Sequence, residues 1–299
     1  MTTDRLSGRR ANLLGSLWMI TAMAGFAIED SFLKAAADTI PVGQILILFG
    51  MGGVCVFVIA ALASGQNLFP RAVLSLPMRI RVVFEITGRL FYTLAIALTP
   101  LSAATVILQA TPLVVVAGAA VVFGERVGWR RWTAIAVGLI GVLVIVQPGT
   151  NSFSLLSVLA VLGMLGFAGR DLASRAAPKS LGTAILGIYG FGAIIVAGAL
   201  FSIWQGAAFV VPDAMVALYL LAAILIGAAS YSCLMLAMRT GEVSAVTPFR
   251  YTRLLFGLAL GILWFNEQLT LPMVVGSGLI VLSGIFTMWR GQKNRTMCG

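Results

Sequence analysis

Long apolar runs, separated by short polar segments, follow one another along almost the whole chain. The uncharged runs include residues 90–124, 132–169, 180–212, 214–238 and 268–289. A helix needs about 20 apolar residues to cross the hydrocarbon core of a bilayer, so several of these runs are long enough for two helices. The pattern predicts ten membrane-spanning helices, at residues 11–34, 42–63, 80–98, 102–123, 130–147, 153–174, 182–204, 214–238, 244–265 and 270–289.

The composition is typical of a membrane protein. Hydrophobic residues make up 60% of the chain and charged residues only 10%, whereas soluble domains carry about 25% charged residues. We therefore expect an all-α polytopic membrane protein in contact with the lipid bilayer. The net charge of +10 would suggest nucleic acid as a partner of a soluble protein. Here the basic residues lie in short loops beside the predicted spans, so we expect no nucleic-acid partner.

The basic residues also predict the orientation in the membrane. Sixteen of the twenty Lys and Arg residues fall in the six segments on one side of a ten-span topology. Cytoplasmic loops are enriched in Lys and Arg, so these segments, which include both termini, are predicted to be cytoplasmic. Residues 1–10 would then form a short cytoplasmic N-terminal segment, and residues 290–299 a cytoplasmic tail.

The two halves of the sequence resemble each other. We name the comparison of the sequence with itself, shifted by 142 residues, the repeat alignment. It matches SAAT at 102–105 with SAVT at 244–247 and places Glu29 opposite Asp171. The halves, residues 11–147 and 153–289, each contain five predicted spans. Because five is odd, the second half must enter the membrane in the opposite orientation, which is the inverted-repeat plan of secondary transporters.

Two stretches carry a resemblance to a known family. TPLVVVAGAAVVFGERVGW at 111–129 and TPFRYTRLLFGLALGILWFNEQLTL at 247–271 resemble the EamA-type repeat of the drug/metabolite transporter superfamily. The resemblance covers essentially the whole chain and is greatest to the YddG-type aromatic amino acid exporters. It implies ten spans in two five-helix repeats. It also implies that the repeat-closing residues Glu125 and Glu267 hydrogen-bond neighbouring loop backbone and do not contact substrate.

Three arginines, Arg89, Arg250 and Arg253, lie well inside predicted spans, away from the span ends that carry other basic residues. An ionised side chain in the hydrocarbon region costs on the order of 3 kcal/mol or more unless it faces a cavity or a partner. Glu85, Arg89 and Tyr92 follow one another at i, i+4 and i+7 on one face of the third span, so Glu85 is the predicted partner of Arg89. We expect the three arginines to gather in the cytoplasmic half of the protein.

Two interpretations of this arginine cluster are open. If Glu85 alone neutralises it, the excess positive charge would bind a substrate carboxylate through charge-assisted hydrogen bonds. If Asp171 and Glu242 also reach the arginines, the charges balance, and the cluster would be a cytoplasmic gate that closes by ion pairing. The predicted gate residues are Arg253, Asp171 and Glu242.

Aromatic and polar side chains complete the predicted substrate site, since aromatic residues at mid-depth are suited to a planar substrate. The predicted substrate-binding residues are Phe26, Glu85, Arg89, Tyr92, Gln109, Phe167, Tyr231, Arg250 and Tyr251. Pro112 and Pro248 interrupt helical hydrogen bonding and are predicted hinges.

The chain has no histidine and no Gly-xxxx-Gly-Lys-Ser/Thr run. A P-loop ATPase, a zinc site and His-based acid/base catalysis therefore lack their usual residues. We expect neither enzymatic activity nor a metal or other cofactor.

Together these patterns predict an exporter of aromatic or bulky apolar amino acids and related metabolites in a bacterial inner membrane. It would work by alternating access, as two inverted repeats rock about a central cavity. Proton coupling and passive facilitated diffusion are both open. The alternatives are an exporter of other small solutes, such as cationic drugs or phosphorylated metabolites, and an intramembrane enzyme or scaffold. The sequence is compatible with a monomer.

Overall fold

The computed structural model describes residues 2–37, 39–98, 107–108, 110–125, 127–146 and 157–265, together with residues 271, 274–276, 278–279 and 281–283. Within these residues every regular element is a helix, as the hydropathy pattern predicts. Gln109, Glu267 and the segment 290–299 lie outside the described residues.

The α-helices are numbered in chain order. They are α1 (Thr2–Ala37), α2 (Val42–Ala63), α3 (Leu76–Leu98), α4 (Thr111–Phe123), α5 (Trp129–Val146), α6 (Ser157–Ala176), α7 (Thr183–Gln205), α8 (Ala214–Thr240), α9 (Val243–Val246) and α10 (Thr252–Phe265). Two 3₁₀ helices, Arg71–Leu74 and Thr247–Tyr251, precede α3 and α10. The described residues between 274 and 283 are also helical.

Four of the described helices are long and apolar enough to cross a membrane by length and composition. They are Arg10–Ala37, Val42–Ala63, Thr183–Gln205 and Ala214–Thr240. The outer surface is strongly apolar: the exposed fraction is 85% for Val121, 80% for Ile203 and 91% for Val211. Exposed apolar surface of this extent is expected where lipid replaces water as the solvent.

Three helix pairs form the centre of the protein, and each pair takes one helix from either half of the sequence: α1 with α8, α2 with α7, and α3 with α6. Small residues allow their close approach. Gly88 of α3 lies against Gly166 of α6, and a Cβ on Gly50 of α2 would lie 3.0 Å from the backbone nitrogen of Ile195 in α7. The largest packing interfaces therefore join the two halves.

Two larger groups of helices follow from the remaining contacts. Helix α4 packs on α6, so we name α3, α4 and α6 the α3 bundle. Helix α10 packs on α1, so we name α1, α8, α9, the 3₁₀ helix Thr247–Tyr251 and α10 the α1 bundle. The α2–α7 pair lies beside both bundles, because α7 contacts α3 and α2 contacts α8.

Two close contacts, one in each bundle, correspond to each other in the repeat alignment. Gly25 of α1 lies against Ser230 of α8, and Gly88 of α3 lies against Phe167 of α6. The alignment places Gly25 opposite Phe167 and Gly88 opposite Ser230. The same pair of sequence positions is therefore in contact in both bundles, with the two halves exchanged.

One end of the protein, which we name the basic end, carries Arg175 and Arg239. Helix α1 begins there, since the side-chain Oδ1 of Asn12 accepts a hydrogen bond of 2.8 Å from the backbone N–H of Glu242. Helices α6 and α8 end there, because Arg175 donates to the carbonyls of Met238 (3.2 Å) and Gly241 near the end of α8. Helices α4 and α6 therefore run antiparallel to α1 and α3.

Both predicted hinge prolines lie where a helix starts or changes type. Pro112 is in the first turn of α4, where a missing backbone N–H costs no hydrogen bond. Pro248 lies in the 3₁₀ helix that separates the four-residue α9 from α10. The predicted ninth span is therefore an interrupted helix. Whether either proline bends during function remains a prediction.

Candidate gate and substrate site

Buried charged residues near the basic end form a group that we name the Glu85 cluster. It consists of Arg81 and Glu85 on α3, Arg170, Asp171 and Ser174 on α6, Tyr231 on α8 and Arg250 in the 3₁₀ helix. Side-chain hydrogen bonds and ion pairs join these residues inside the protein. Every charged side chain of the cluster is at most 12% exposed.

Glu85 is the centre of the cluster. Its Oε1 accepts a hydrogen bond of 3.1 Å from Nη1 of Arg170, and its Oε2 accepts one of 3.2 Å from the hydroxyl of Tyr231. Arg81 lies one turn earlier on α3, with its Nη2 3.6 Å from Oε2 of Glu85. Buried carboxylates are stable only when they are paired and hydrogen-bonded in this way.

Arg81 is held from two sides. Its Nε donates a hydrogen bond of 2.9 Å to the hydroxyl of Ser174, and its Nη2 donates to the hydroxyl of Tyr231. The hydroxyl of Ser174 in turn donates to the carbonyl of Arg170 at 2.7 Å. This network joins α3, α6 and α8, and therefore connects the α3 bundle to the α1 bundle.

Asp171 joins the bundles a second time. Its Oδ1 accepts a hydrogen bond of 2.9 Å from Nε of Arg170 on the same helix, and its Oδ2 accepts one from Nη1 of Arg250 in the α1 bundle. Three arginines and two carboxylates take part in the cluster, so its formal charge is +1. Each of the two carboxylates is paired with two of the arginines.

Glu125, at the surface of the basic end, also connects the two bundles. Gly124 ends α4 in the left-handed conformation, with φ of 63°, which glycine adopts without strain. The carboxylate of the next residue, Glu125, accepts hydrogen bonds from the backbone N–H of Val243 (3.0 Å) and Ser244 (3.1 Å) at the start of α9. Arg175 lies 3.7 Å from Glu125. The carboxylate of one bundle thus caps a helix of the other.

Deeper in the protein, about 6 Å further along α3, lies a second charged group that we name the Arg253 cluster. It contains Glu29, Asp30, Arg89 and Arg253. Arg253 on α10 donates to Oδ2 of Asp30 on α1, and its guanidinium lies 5.3 Å from the ring centre of Phe26. Its side chain is 37% exposed, and that of Asp30 is 53% exposed. This ion pair is therefore more exposed than any charged side chain of the Glu85 cluster.

Glu29 is the buried member of the Arg253 cluster. It is only 3% exposed, and its Oε2 makes no hydrogen bond. A Cβ on Gly227 of α8 would lie 3.0 Å from this oxygen. Arg89 of the α3 bundle and Arg253 both attract Glu29 electrostatically, and Asp30 repels it. The carboxylate of one bundle thus faces an arginine of the other.

Aromatic rings lie between the two clusters. Tyr92 and Phe167 meet edge to face, with ring centres 5.8 Å apart. The guanidinium of Arg170 lies 5.0 Å from the ring centre of Phe167. Tyr231, in contrast, is 3% exposed and packs on Phe191 with ring centres 5.4 Å apart. Its hydroxyl reaches the Glu85 cluster, whereas its ring belongs to the apolar core.

Two further predicted residues lie away from the clusters in this conformation. Tyr251 is 1% exposed, and its hydroxyl donates to the carbonyl of Ile135 in α5 at 3.2 Å. Glu242 is exposed at the rim of the basic end, directly before α9.

The ion-pair partners predicted for the arginine cluster differ from those in the structure. The sequence pattern predicts one group around Glu85 that contains Arg89, Arg250 and Arg253. In the structure Glu85 pairs with Arg81 and Arg170, and of the three predicted arginines Arg250 joins this cluster through Asp171. Arg253 pairs with Asp30 in the second cluster. The physical reason is that α3 begins at Leu76 and α6 continues to Ala176, which brings Arg81 and Arg170 inside.

The count of sixteen basic residues in cytoplasmic segments includes Arg81 and Arg170, because it treats the whole end of a span as loop. A local signal for each was present. Arg81 precedes Glu85 by four residues, which is the spacing of an ion pair on a helix. Arg170 precedes Asp171, which the repeat alignment places opposite Glu29. Among the residues described by the structure, no group of His, Cys, Asp and Glu side chains is suited to a metal ion.

Comparison with known families identifies the chain. The EamA-like transporter family matches residues 13–147 and again residues 155–289. The chain belongs to this family. EamA-like proteins are integral membrane transporters, so the predicted family and the predicted membrane location are confirmed at this level. The two matched segments correspond to the halves that the repeat alignment indicates.

Characterised relatives of this EamA-like chain carry different solutes. It is 26% identical to a riboflavin transporter of Vibrio cholerae, over 95% of this chain and 96% of that protein. It is 27% identical to the pseudopaline exporter CntI of Pseudomonas aeruginosa, over 91% of this chain and 94% of the other. It is 23% identical to an S-adenosylmethionine uptake transporter of Rickettsia prowazekii, over 69% of each chain.

A solved crystal structure has the same fold as this EamA-like protein. The TM-score is 0.79, with 96% of this chain and 99% of the other covered at 20% sequence identity. At this identity the likeness concerns the fold alone. The relatives support a small-molecule transporter, whereas the closer resemblance to YddG-type aromatic amino acid exporters stays a prediction.

Proposed function

We propose that the chain exports aromatic or bulky apolar amino acids and related metabolites across a bacterial inner membrane by alternating access. One observation carries the proposal. Arg253 and Asp30 of the Arg253 cluster are partly exposed, whereas the Glu85 cluster, about 6 Å nearer the basic end, is buried. A partly exposed charged site beside a buried one is the arrangement expected of a transporter that is closed on one side.

The basic end is the cytoplasmic side in this proposal. Its support is the positive-inside rule, because Arg175, Lys179 and Arg239 lie in or beside short connections at this end. The structure would then represent a state that is closed to the cytoplasm, with the Glu85 cluster and the cap at Glu125 as the cytoplasmic gate. Arg250 belongs to this gate, and Arg253 to the substrate site, so the roles predicted for these two residues are exchanged.

The moving parts are the α3 bundle and the α1 bundle. Rocking of the two sequence halves as rigid bodies would separate α1 from α8, α2 from α7 and α3 from α6, which are the largest packing interfaces. Rocking of the bundles leaves all three pairs intact. It separates the connections between the bundles, which include those of Tyr231 to Arg81 and Glu85, of Arg250 to Asp171, of Arg175 to the end of α8 and of Glu125 to α9.

The inverted repeat supports this division. The repeat alignment pairs Gly25 with Phe167 and Gly88 with Ser230. The contact of Gly25 with Ser230 in the α1 bundle therefore corresponds to the contact of Phe167 with Gly88 in the α3 bundle. The two bundles are then related by a pseudo-twofold axis. Closure on one side would be mirrored by closure on the other, as alternating access requires.

The relatives widen the range of candidate solutes. Riboflavin has a planar ring system, and S-adenosylmethionine and pseudopaline are larger than amino acids and carry amino acid groups. Bulky metabolites with a ring or an amino acid group are therefore the second candidate class, beside free aromatic amino acids. The aromatic rings of Phe26, Tyr92 and Phe167 suit both classes.

The test is transport by the purified protein in liposomes. Labelled phenylalanine, tryptophan, leucine, riboflavin and S-adenosylmethionine are loaded inside or outside, with and without a pH gradient. Transport of at least one of them above protein-free liposomes, abolished by a disulfide between the bundles at the basic end, supports the proposal. A disulfide within one bundle is the control and should leave transport unchanged. Absence of transport for the entire panel, or transport that survives the inter-bundle disulfide, would contradict it.

A further inference from the structure

We propose that Glu29 carries a proton and couples its uptake and release to the movement of the two bundles. The inference rests on the proposed function, because it names what drives the alternating movement. In the state closed at the basic end, which the structure represents, Glu29 holds the proton. In the state open at the basic end, Glu29 is ionised. One proton therefore moves toward the basic end in each cycle.

Glu29 is a buried carboxyl group with an oxygen that lacks a donor. Its exposed fraction is 3%, and its Oε2 receives no hydrogen bond from any residue that the structure describes. An ionised carboxylate in such a position loses its hydration and gains no hydrogen bond at this oxygen in return. A protonated carboxyl group carries no charge and is far less costly to bury. The neutral form is therefore the one that fits this conformation.

Apolar atoms pack close to the same oxygen. A Cβ on Gly227 of α8 would lie 3.0 Å from Oε2 of Glu29 and 2.8 Å from the ring of Phe49. Phe49 of α2 is 1% exposed and packs on Phe191 of α7, with ring centres 5.2 Å apart. The aromatic ring has no N–H or O–H, and the N–H of a glycine inside a helix is used by the helix. These neighbours therefore favour the uncharged carboxyl group.

Three charged residues face Glu29. Asp30 on the same helix repels an ionised Glu29, whereas Arg253 on α10 and Arg89 on α3 attract it. Arg253 is paired with Asp30, so the effects of these two charges on Glu29 largely cancel. Arg89 belongs to the other bundle, and its effect on Glu29 therefore depends on how the bundles are placed. The charge of Glu29 is linked to the conformation in this way.

The inverted repeat indicates how the surroundings of Glu29 change. The repeat alignment places Glu29 opposite Asp171 and Arg89 opposite Tyr231. Asp171 and Tyr231 both hydrogen-bond the other bundle at the basic end, which is closed. By the pseudo-twofold relation of the bundles, Glu29 and Arg89 approach each other when the opposite side closes. An ionised Glu29 then gains a cationic donor, and the proton is released.

The path of the proton follows from these positions. In the state closed at the basic end, a proton from the solvent on the opposite side reaches Glu29 through the adjacent Asp30, which is 53% exposed. After the bundles rock, Glu29 releases it to the solvent at the basic end. Because that end is cytoplasmic in the proposed function, a proton enters the cell as solute leaves. Export is therefore an exchange against protons and not facilitated diffusion.

The sign of the pH effect distinguishes Glu29 from the other buried carboxylates. A proton that binds the closed state more tightly shifts the equilibrium toward that state. Acid should therefore close the basic end, and base should open it. Protonation of Glu85 or Asp171 would have the opposite effect, because it would break the ion pairs that hold the basic end together.

The experiment measures the distance between the bundles with spin labels on the full chain in lipid nanodiscs. In a cysteine-free background, Val122→Cys on α4 and Leu236→Cys on α8 carry the labels, since both native side chains are exposed near the basic end. We expect the ratio of long to short distances to rise by about tenfold or more between about pH 5 and about pH 9. Labels at Leu14→Cys and Leu236→Cys, both within the α1 bundle, should keep one distance throughout.

Glu29→Gln imitates the protonated form. It should keep the short distance between the bundles at every pH, and an acid solution on the side opposite the basic end should no longer accelerate export from liposomes. Asp213→Asn is the matched control, because Asp213 caps the start of α8, and it should respond to pH like the wild-type protein.

Infrared spectroscopy of the wild-type protein decides if Glu29→Gln does not fold. The C=O stretch of a protonated carboxyl group, assigned with isotope-labelled glutamate, should be present in the closed state and disappear as the distance between the bundles lengthens. Its absence in the closed state would show that no glutamate holds a proton there.

The outcomes separate the two proposals. The proton site is overturned if the distance does not depend on pH, if acid opens the basic end, or if Glu29→Gln keeps the wild-type response. Transport of a panel compound would then stand as facilitated diffusion. If the pH response is found but no compound of the panel is transported, the proposed substrates are rejected, while the proton-linked movement stands.

Discussion

Arg250 donates a hydrogen bond to Oδ2 of Asp171, and this ion pair joins the 3₁₀ helix before α10 to the end of α6. The side chain of Asp171 is 0% exposed, and that of Arg250 is 12% exposed. The pair lies beside the network of Glu85 and Tyr231 and, like it, connects the two bundles. Opening of the basic end therefore has to separate two charges that are out of contact with water.

Replacement of Arg250 by Ala should favour the state that is open at the basic end. Removal of one partner from a buried ion pair costs about 3–5 kcal/mol, and part of this cost is recovered when the remaining carboxylate reaches water. In a cysteine-free background, Ala119→Cys is a reporter, because Ala119 of α4 is 0% exposed. We expect its labelling by a membrane-impermeant maleimide from the cytoplasmic side to accelerate by about tenfold or more.

Arg239→Ala is the control for this experiment. Arg239 is also a basic residue at the same end, but it donates to the carbonyls of Leu181 (2.7 Å) and Pro178 (3.0 Å), before α7. It should leave the labelling rate unchanged. Wild-type labelling in both Arg250→Ala and Asp171→Asn would rule out the pair as part of the gate.

Glu125→Ala should have two separable effects. It removes the carboxylate that caps α9, which costs about 1 kcal/mol of stability, and it also removes a connection between the bundles. We expect a lower melting temperature in detergent and faster labelling of the Ala119→Cys reporter. Asp213→Ala is the matched variant, because Asp213 caps α8 by accepting from the N–H of Val216 at 2.8 Å within one helix. It should lower the melting temperature similarly but leave the labelling unchanged.

Much of the architecture could be predicted from the sequence, because hydrophobic length and period are local properties. The predicted spans 42–63 and 214–238 coincide closely with α2 and α8. Glu125 does hydrogen-bond backbone, but its partners lie at the start of helix α9 and not in a loop, 118 and 119 residues away. No local sequence pattern predicts a contact between residues so far apart in the chain, because that contact depends on how the bundles pack.

The partners of the charged residues could not be predicted for the same reason. Glu85 has an arginine at four residues on either side, Arg81 and Arg89, and helical spacing does not choose between them. The choice is made by α6, which brings Arg170 and Ser174 to the side of Arg81. Depth along a span was likewise insufficient to separate Arg250 from Arg253, because their partners are set by tertiary packing: Arg250 pairs with Asp171 of the α3 bundle and Arg253 with Asp30 of the α1 bundle.

The division into bundles predicts which disulfides permit transport. Glu125→Cys with Ser244→Cys would join the α3 bundle to the α1 bundle, whereas Gly15→Cys with Val246→Cys would join α1 to α9 within the α1 bundle. Both native pairs are in contact at the basic end. In a cysteine-free background we expect oxidation of the first pair to stop transport and a reductant to restore it. Oxidation of the second pair should have no effect. Equal inhibition by both disulfides would contradict rocking of these bundles.

Glycine replacements should distinguish helix packing from helix propensity. A Cβ on Gly166 of α6 would collide with the backbone of Gly88 in α3, whereas a Cβ on Gly192 of α7 meets nothing within 4 Å. Gly166→Ala should therefore destabilise the protein by about 1–3 kcal/mol through overpacking. Gly192→Ala should be neutral or stabilising by about 0.5–1 kcal/mol, because alanine is the better helix former. Thermal unfolding in detergent measures both, and equal melting temperatures would show that α3 and α6 do not approach so closely.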